Sequence, residues 1–219
     1  MNRTAEPATR LAGEVVAPPD KSISHRAALF ASLAEGESTL KGYSRAADPQ
    51  STLDCLRRVG FRVDDGPDGT VRILGHGRKG WLEAAARWKD RPPLTLDCGN
   101  SGTTMRLLAG LAGGAGLHAK LIGDDSLSRR PMDRILNPLA DLGVASSARD
   151  GRYAPVRLLG RSGDEGVRGG VCELTIASAQ LKSALLLAGL FSQEGVRVKE
   201  PAPSRDHTER MLRLGAPDR

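Results

Sequence analysis

The sequence predicts an α/β fold made of three similar units, and two observations support that prediction. First, three helices open on small polar residues, at residues 21–26, 99–104 and 177–180, and each ends at small residues. Second, each is followed by a strand, an Asp and a second helix, so corresponding points recur about every 80 residues, as in repeat proteins. The N-terminus of a helix leaves N–H groups unpaired. Three such starts packed around a pseudo-threefold axis would therefore converge on one anionic ligand.

In the first unit, Asp20, Ser22 or Ser24 can cap the first helix. The second helix has Pro49 in its first turn, where the missing N–H of proline costs nothing. The predicted elements are strands at 11–17 and 38–43, helices at about 20–34 and 48–60, a hairpin at 61–63 and 70–74, and an irregular connection that can include a helical turn at 78–93.

The second and third units repeat this order. In the second unit we expect strands at 94–96 and 119–122, helices at 101–111 and 131–142, and a hairpin at 144–148 and 156–159. In the third we expect strands at 172–176 and 196–199 and helices at 178–191 and 206–214. The third unit has no hairpin after its second helix. A sheet without its last strands leaves unpaired edge groups, so we expect the chain to be a piece of a longer protein.

Composition narrows the function classes. The chain is 39% hydrophobic and 26% charged, as in ordinary globular proteins, and its net charge of +6 suits an anionic partner. Aromatic residues make up only 3%, and the arginines are dispersed, so we expect no nucleic-acid partner. Cys55, Cys98 and Cys172 have no metal or disulfide spacing and the four histidines form no metal motif. No membrane span or signal peptide is recognisable, and a cytoplasmic protein is expected.

Three features place cations or small residues where an anion would bind. Lys21 and Arg26 lie in the first turns of a helix, where cations oppose the helix dipole unless an anionic ligand is bound. The alternative is a solvated first turn capped by a serine. Residues 99–104, Gly-Asn-Ser-Gly-Thr-Thr, let backbone approach a ligand closely, although they match no nucleotide-binding motif. Arg130, next to Arg129, is a candidate clamp for carboxylate or phosphate, or else one of a solvated pair.

In combination, the motifs resemble the N-terminal half of the 5-enolpyruvylshikimate-3-phosphate synthase family. The resemblance rests on Asp-Lys-Ser-Ile-Ser-His-Arg at 20–26, residues 99–104, Arg-Arg-Pro-Met at 129–132, Ser-Ala-Gln at 178–180 and Arg-Asp-His-Thr at 205–208. It implies two similar domains, each of three βαβαββ copies, of which the second is absent here. It also implies transfer of enolpyruvyl from phosphoenolpyruvate to the 5-hydroxyl of shikimate 3-phosphate, with release of phosphate, in aromatic amino-acid (chorismate) biosynthesis.

The resemblance further implies the roles of individual residues. Lys21 is the catalytic residue and contacts both substrates. The residues implied for shikimate 3-phosphate are Lys21, Ser22, Arg26, Ser178, Ala179, Gln180 and Arg205. Those implied for phosphoenolpyruvate are Lys21, Asn100, Gly102, Arg130 and Gln180. No metal or organic cofactor is implied. The herbicide glyphosate would occupy the phosphoenolpyruvate site, so Gly102→Ala is expected to weaken glyphosate binding more than phosphoenolpyruvate binding.

The expected organisation is an N-terminal strand and crossover at 1–19 and a shikimate-3-phosphate-binding domain at 20–219 whose third copy is incomplete. We expect a monomer that binds substrate but is inactive without a C-terminal domain, because the family's carboxylate base lies there. Two alternatives remain. One is an enzyme like the UDP-N-acetylglucosamine enolpyruvyl transferases, although the cysteine that those enzymes carry in the loop equivalent to 124–130 is missing. The other is a non-catalytic module that binds anions or nucleic acid.

Overall fold

The chain forms an α/β domain in which helices and small sheets alternate along the sequence. The computed structural model describes residues 7, 9–10, 12–66, 69–161 and 166–215. The helices are α1 (Lys21–Leu33), α2 (Ala47–Val59), α3 (Gly77–Trp88), α4 (Gly102–Gly114), α5 (Asp133–Asp141), α6 (Ala179–Gly189) and α7 (His207–Gly215). The strands are β1 (Glu35–Leu40), β2 (Arg62–Asp65), β3 (Val71–His76), β4 (Leu94–Asp97), β5 (His118–Ile122), β6 (Ser146–Arg149), β7 (Tyr153–Leu159), β8 (Gly170–Glu173) and β9 (Val196–Lys199). The predicted α/β class is confirmed.

The sheet topology shows the three units directly. The second unit is complete: β4 pairs parallel with β5, β5 antiparallel with β7, and β7 with β6, with α4 and α5 in the βαβαββ order. In the first unit, β1, β3 and β2 form the same antiparallel arrangement. In the third, β8 and β9 pair parallel like β4 and β5. The described residues thus contain one whole copy and two partial ones.

Each first helix begins at a side chain that accepts a hydrogen bond from the first turn. Asp20 caps α1 by accepting from the backbone N–H of Ile23 at 2.7 Å. Ser101 caps α4 and Ser178 caps α6 in the same way. Such caps pair one of the orphan N–H groups of a helix start and leave others free. Gly60 ends α2 because its φ of 116° lies in the left-handed region that glycine tolerates.

The core lies around α4, which is buried on nearly every side. Helix α4 packs closely on α6 because Gly110 and Gly114 let the two backbones approach; a Cβ on Gly110 would collide with the carbonyl of Ala184. Helix α1 packs on α4 and is joined to α6 by a hydrogen bond from Arg26 to Ser183. The three first helices therefore contact one another pairwise, as an arrangement around a pseudo-threefold axis requires.

Two sequence predictions about secondary structure were wrong. Residues 12–20 form no strand and are exposed, with Val15 at 88% and Val16 at 91%; Leu11, the first residue of that predicted strand, lies outside the described residues. A strand needs a partner for its backbone groups, and the local sequence alone does not provide one. The supposed irregular connection at 78–93 contains α3, whose Trp81 is fully buried and donates to Ser32 Oγ at 3.1 Å. Other boundaries differ by a few residues.

Candidate functional site

The starts of α1, α4 and α6 meet at one pocket, which confirms that the three polar helix starts lie together. This central pocket has a volume of about 220 Å³. It is lined by Ser22, Arg26, Thr103, Ser178, Ala179, Gln180, Arg205 and His207. Six of these residues were predicted for shikimate 3-phosphate. Thr103 and His207 were missed, although both lie inside motifs that carried the resemblance.

Arg26 is the buried cation of the central pocket. Arg26 lies on α1 and is only 4% exposed. Its guanidinium donates to Thr208 Oγ1 at 2.8 Å, to Ser183 Oγ at 2.8 Å and to the carbonyl oxygen of Ser22 at 3.1 Å. All three acceptors are neutral, and the described part of the chain provides no carboxylate in ion-pair contact with it. Burial lowers the pKa of Arg26, but arginine remains charged in proteins. The carboxylates of Glu209 and Asp20 act to raise the pKa of Arg26 through space, against the effect of burial. Because neither forms an ion pair with the guanidinium, the site still favours an anionic ligand.

An ion-pair cluster lies next to the loop that carries Arg205 of the central pocket. Lys182 on α6 pairs with Glu200 at 2.6 Å and with Glu209 at 2.7 Å, and its side chain is only 8% exposed. Burial acts to lower the pKa of Lys182, but hydrogen bonds to the two carboxylates outweigh it and raise that pKa. Glu200 also accepts from Ser204, next to Arg205. The cluster therefore fastens the loop before α7 to α6.

The remaining predicted residues lie beside the central pocket rather than in its lining. Lys21 forms an ion pair with Asp48, a residue in the first turn of α2. Arg130 donates to Asn100 Oδ1 at 2.6 Å, and Asn100 donates to Asp124 at 2.6 Å. A backbone hydrogen bond from Leu127 and the one from Asn100 lower the pKa of Asp124. This carboxylate therefore remains ionised and orients Asn100, which in turn holds Arg130.

Gly102 leaves space between two guanidinium groups. A Cβ on this residue would lie 2.5 Å from Nη1 of Arg106 and 3.4 Å from Nη1 of Arg130. Gly102 is an ordinary helical residue at the start of α4, outside the left-handed region. The absence of a side chain, and not an unusual backbone angle, therefore distinguishes this position. Without a Cβ, Gly102 leaves room for the Arg106 and Arg130 guanidinium groups beside the start of α4.

Neither metal ligation nor a membrane span is found in the described ranges. Among these residues no group of three His, Cys, Asp or Glu side chains is placed to hold a metal ion. Within the same part of the chain, no helix has the length and apolar character needed to cross a bilayer. Cys55 and Cys98 are buried free thiols and Cys172 is half-buried.

Fold and pocket together define an α/β domain built from repeated units, with a pocket that contains two arginines where the first helices begin. Residues 5–216 match the family model described as EPSP synthase (3-phosphoshikimate 1-carboxyvinyltransferase). The chain belongs to the EPSP synthase family.

Similar proteins agree with this assignment. A relative from Synechococcus sp. (strain WH7803), named 3-phosphoshikimate 1-carboxyvinyltransferase, is 49% identical over 95% of this chain and 45% of its own length. One of the same name from Salinibacter ruber is 45% identical over 98% of this chain and 47% of its own length. The solved structure of EPSP synthase from Acinetobacter baumannii matches with a TM-score of 0.80 and 38% identity, over 92% of this chain and 43% of that one. The chain spans about half the length of the curated relatives it matches.

Proposed function

We propose that this chain binds shikimate 3-phosphate in the central pocket and forms one half of a site for enolpyruvyl transfer from phosphoenolpyruvate. The observation that carries the proposal is Arg26, a buried guanidinium whose partners are all neutral. An anionic sugar phosphate would supply the missing negative charge. Ser22 and Arg205 line the same pocket and would hold the ligand from two further sides.

The phosphate group would bind at the start of α6. Ser178 caps that helix, and Ala179 and Gln180 are its first two residues. Free backbone N–H groups and the positive end of the helix dipole make such a start suitable for phosphate. Ala179 presents no bulky side chain, so an anion can reach the backbone. This placement leaves the ring of the substrate facing α1.

Phosphoenolpyruvate would bind beside this pocket, near Gly102, Asn100 and Arg130. Lys21 lies one residue from Ser22 and would contact both substrates as the catalytic residue. Its ammonium pairs with Asp48, and it would supply a proton-carrying group next to the pocket. Enolpyruvyl transfer to the 5-hydroxyl with release of phosphate requires a proton to reach the enol carbon and another to leave the hydroxyl. The chain alone is expected to bind shikimate 3-phosphate without turning it over.

Calorimetric titration of the chain with shikimate 3-phosphate tests this proposal. Arg26→Gln should weaken binding by tenfold or more, at about 1.5–3 kcal/mol for lost charged hydrogen bonds. Arg210→Gln is the matched control, because Arg210 is exposed and its ion pair is with Asp206, the residue before α7. Absence of binding by the wild type, or equal losses in both variants, would contradict the proposed pocket. Product formed from both substrates by the purified chain would contradict its inactivity.

The non-catalytic alternative predicts a different result in the same apparatus. Binding of duplex DNA that falls steeply with salt would indicate counterion release and a nucleic-acid partner. A monomeric state, the absence of nucleic-acid binding and a cytoplasmic location remain predictions from the sequence.

A further inference from the structure

Arg106 is a half-buried cation that neither the sequence motifs nor the proposed substrate contacts explain. It lies on α4, one turn after Gly102, and no carboxylate of the described residues pairs with it. Its guanidinium donates from Nη1 to Gln180 Oε1 at 3.3 Å and from Nη2 to the carbonyl of Pro131 at 3.3 Å. It therefore connects α4 both to the start of α6 and to the turn that carries Arg130.

The contact with Arg106 determines which way the amide of Gln180 faces. A guanidinium carries only donors, so the Gln180 atom beside it must be the oxygen. The amide nitrogen then points the other way, where Nε2 donates to Thr103 Oγ1 at 2.9 Å. Thr103 and Gln180 both line the central pocket, whereas Arg106 lies outside its lining. The amide thus directs its nitrogen toward Thr103, in the lining of the pocket, and its oxygen toward Arg106.

We propose that Arg106 is a positioning residue that holds Gln180 as a hydrogen-bond donor, and that Gly102 leaves the space in which the Arg106 guanidinium sits. An amide free to rotate by half a turn would present its oxygen to an anionic ligand and repel it. The role of Gly102 follows from the fact that a Cβ added to this residue would lie 2.5 Å from Nη1 of Arg106. A methyl group there would displace the same nitrogen that donates to Gln180.

The electrostatic surroundings agree with this role. Burial lowers the pKa of Arg106, and the charges of Arg130 and Arg134 lower it further. A cation kept in such a place without a counter-ion among the described residues is costly. Two hydrogen bonds to neutral acceptors offset part of the cost of burying the Arg106 charge. The planar guanidinium reaches both acceptors at once from different nitrogens, whereas a lysine ammonium has a single nitrogen.

Nitrogen NMR of the chain labelled only at glutamine tests the inference without any assay of activity. The sequence contains three glutamines, Gln50, Gln180 and Gln193, so three side-chain amide pairs are expected, and the first and last serve as internal references. Arg106→Lys should shift the Gln180 pair and leave the other two unchanged. Arg134→Lys is the matched control, because its side chain makes no hydrogen bond to Gln180 among the described contacts.

Two further variants keep the test decisive if Arg106→Lys folds poorly. Thr103→Val removes the hydroxyl that accepts from Gln180 Nε2, and it should move the same pair. Gly102→Ala should shift the Gln180 pair in the direction seen for Arg106→Lys, with little added change when the two are combined. An unmoved Gln180 pair in Arg106→Lys would overturn the positioning role. If the side-chain amide signals of Gln180 do not shift in Gly102→Ala, the claim that Gly102 makes room for the Arg106 guanidinium is overturned.

The consequence for binding rests on the proposed function and is measured separately. Arg106→Lys should weaken shikimate 3-phosphate binding by about tenfold, as expected for loss of one well-placed charged hydrogen bond. Its urea midpoint should stay at the wild-type value. If the wild type does not bind this ligand, the proposed function fails while the Gln180 spectra still decide the role of Arg106. If the wild type binds and Arg106→Lys binds equally well, the positioning role fails alone.

Discussion

Protonation of a single buried histidine is expected to make the chain unstable in mild acid. His25 on α1 is 0% exposed, and its Nδ1 lies 2.7 Å from Thr52 Oγ1. Its Nε2 is buried without a hydrogen-bond partner among the described residues. Burial lowers the pKa of His25 from 6.5 to about 4; Asp48 opposes that shift, while Lys21 and Arg26 add to it. The folded chain therefore keeps this imidazole neutral at pH values where the unfolded chain protonates it.

The sign and size of the effect follow from that difference in pKa. Below pH 6.5 the unfolded state binds a proton that the folded state refuses until about pH 4, so stability falls as the pH falls through this window. Between pH 7 and pH 5 the free energy of unfolding should drop by about 2 kcal/mol from this group alone.

Urea denaturation followed by tryptophan fluorescence measures the drop, since Trp81 is fully buried. His25→Asn cannot titrate here, yet an amide can still face Thr52. The acidic groups common to both proteins cancel in the comparison. The reasoning is refuted if His25→Asn loses as much stability between pH 7 and pH 5 as the wild type.

Three further predictions concern packing, the buried ion cluster and the second substrate. Gly110→Ala should lower the free energy of unfolding by about 1–3 kcal/mol because its Cβ would meet the Ala184 carbonyl, and thermal melting should show no such loss for Gly215→Ala, which has open space. Lys182→Ala should cost about 3–5 kcal/mol in urea denaturation, since two mostly buried carboxylates lose their counter-ion; an unchanged midpoint would contradict the conclusion that this ion-pair cluster fastens the loop before α7 to α6. In an enzyme of the relatives' full length, Arg130→Ala should raise KM for phosphoenolpyruvate far more than KM for shikimate 3-phosphate, and steady-state kinetics showing the reverse would refute that assignment.

Local signals explain why much of the fold could be predicted from sequence. Ser101 and Ser178 are good caps at the residues where α4 and α6 begin, and Gly60 ends α2 where a left-handed residue is needed. Such preferences act within one turn of the chain, so they are visible without knowledge of the packing. The repetition of these signals about every 80 residues predicted three units.

Helix α3 shows where local signals mislead. Gly77 and Gly80 interrupt its first turn, and glycine is unfavourable within helices. The helix forms because Trp81 packs against Phe61, with ring centroids 5.2 Å apart, and donates to Ser32. Those partners come from other elements, so the segment alone does not indicate them.

In the candidate site, too, some features could be predicted from local sequence and others depend on the packing of the helices. The sequence by itself determined which residues form polar helix starts, because capping and small side chains are local requirements. Only the tertiary structure decided what those residues contact. Arg26 meets Thr208 across 182 positions and Arg106 meets Gln180 across 74. Such pairs depend on how α1, α4, α6 and α7 pack, and close packing through glycines is a property of two surfaces that no single segment specifies.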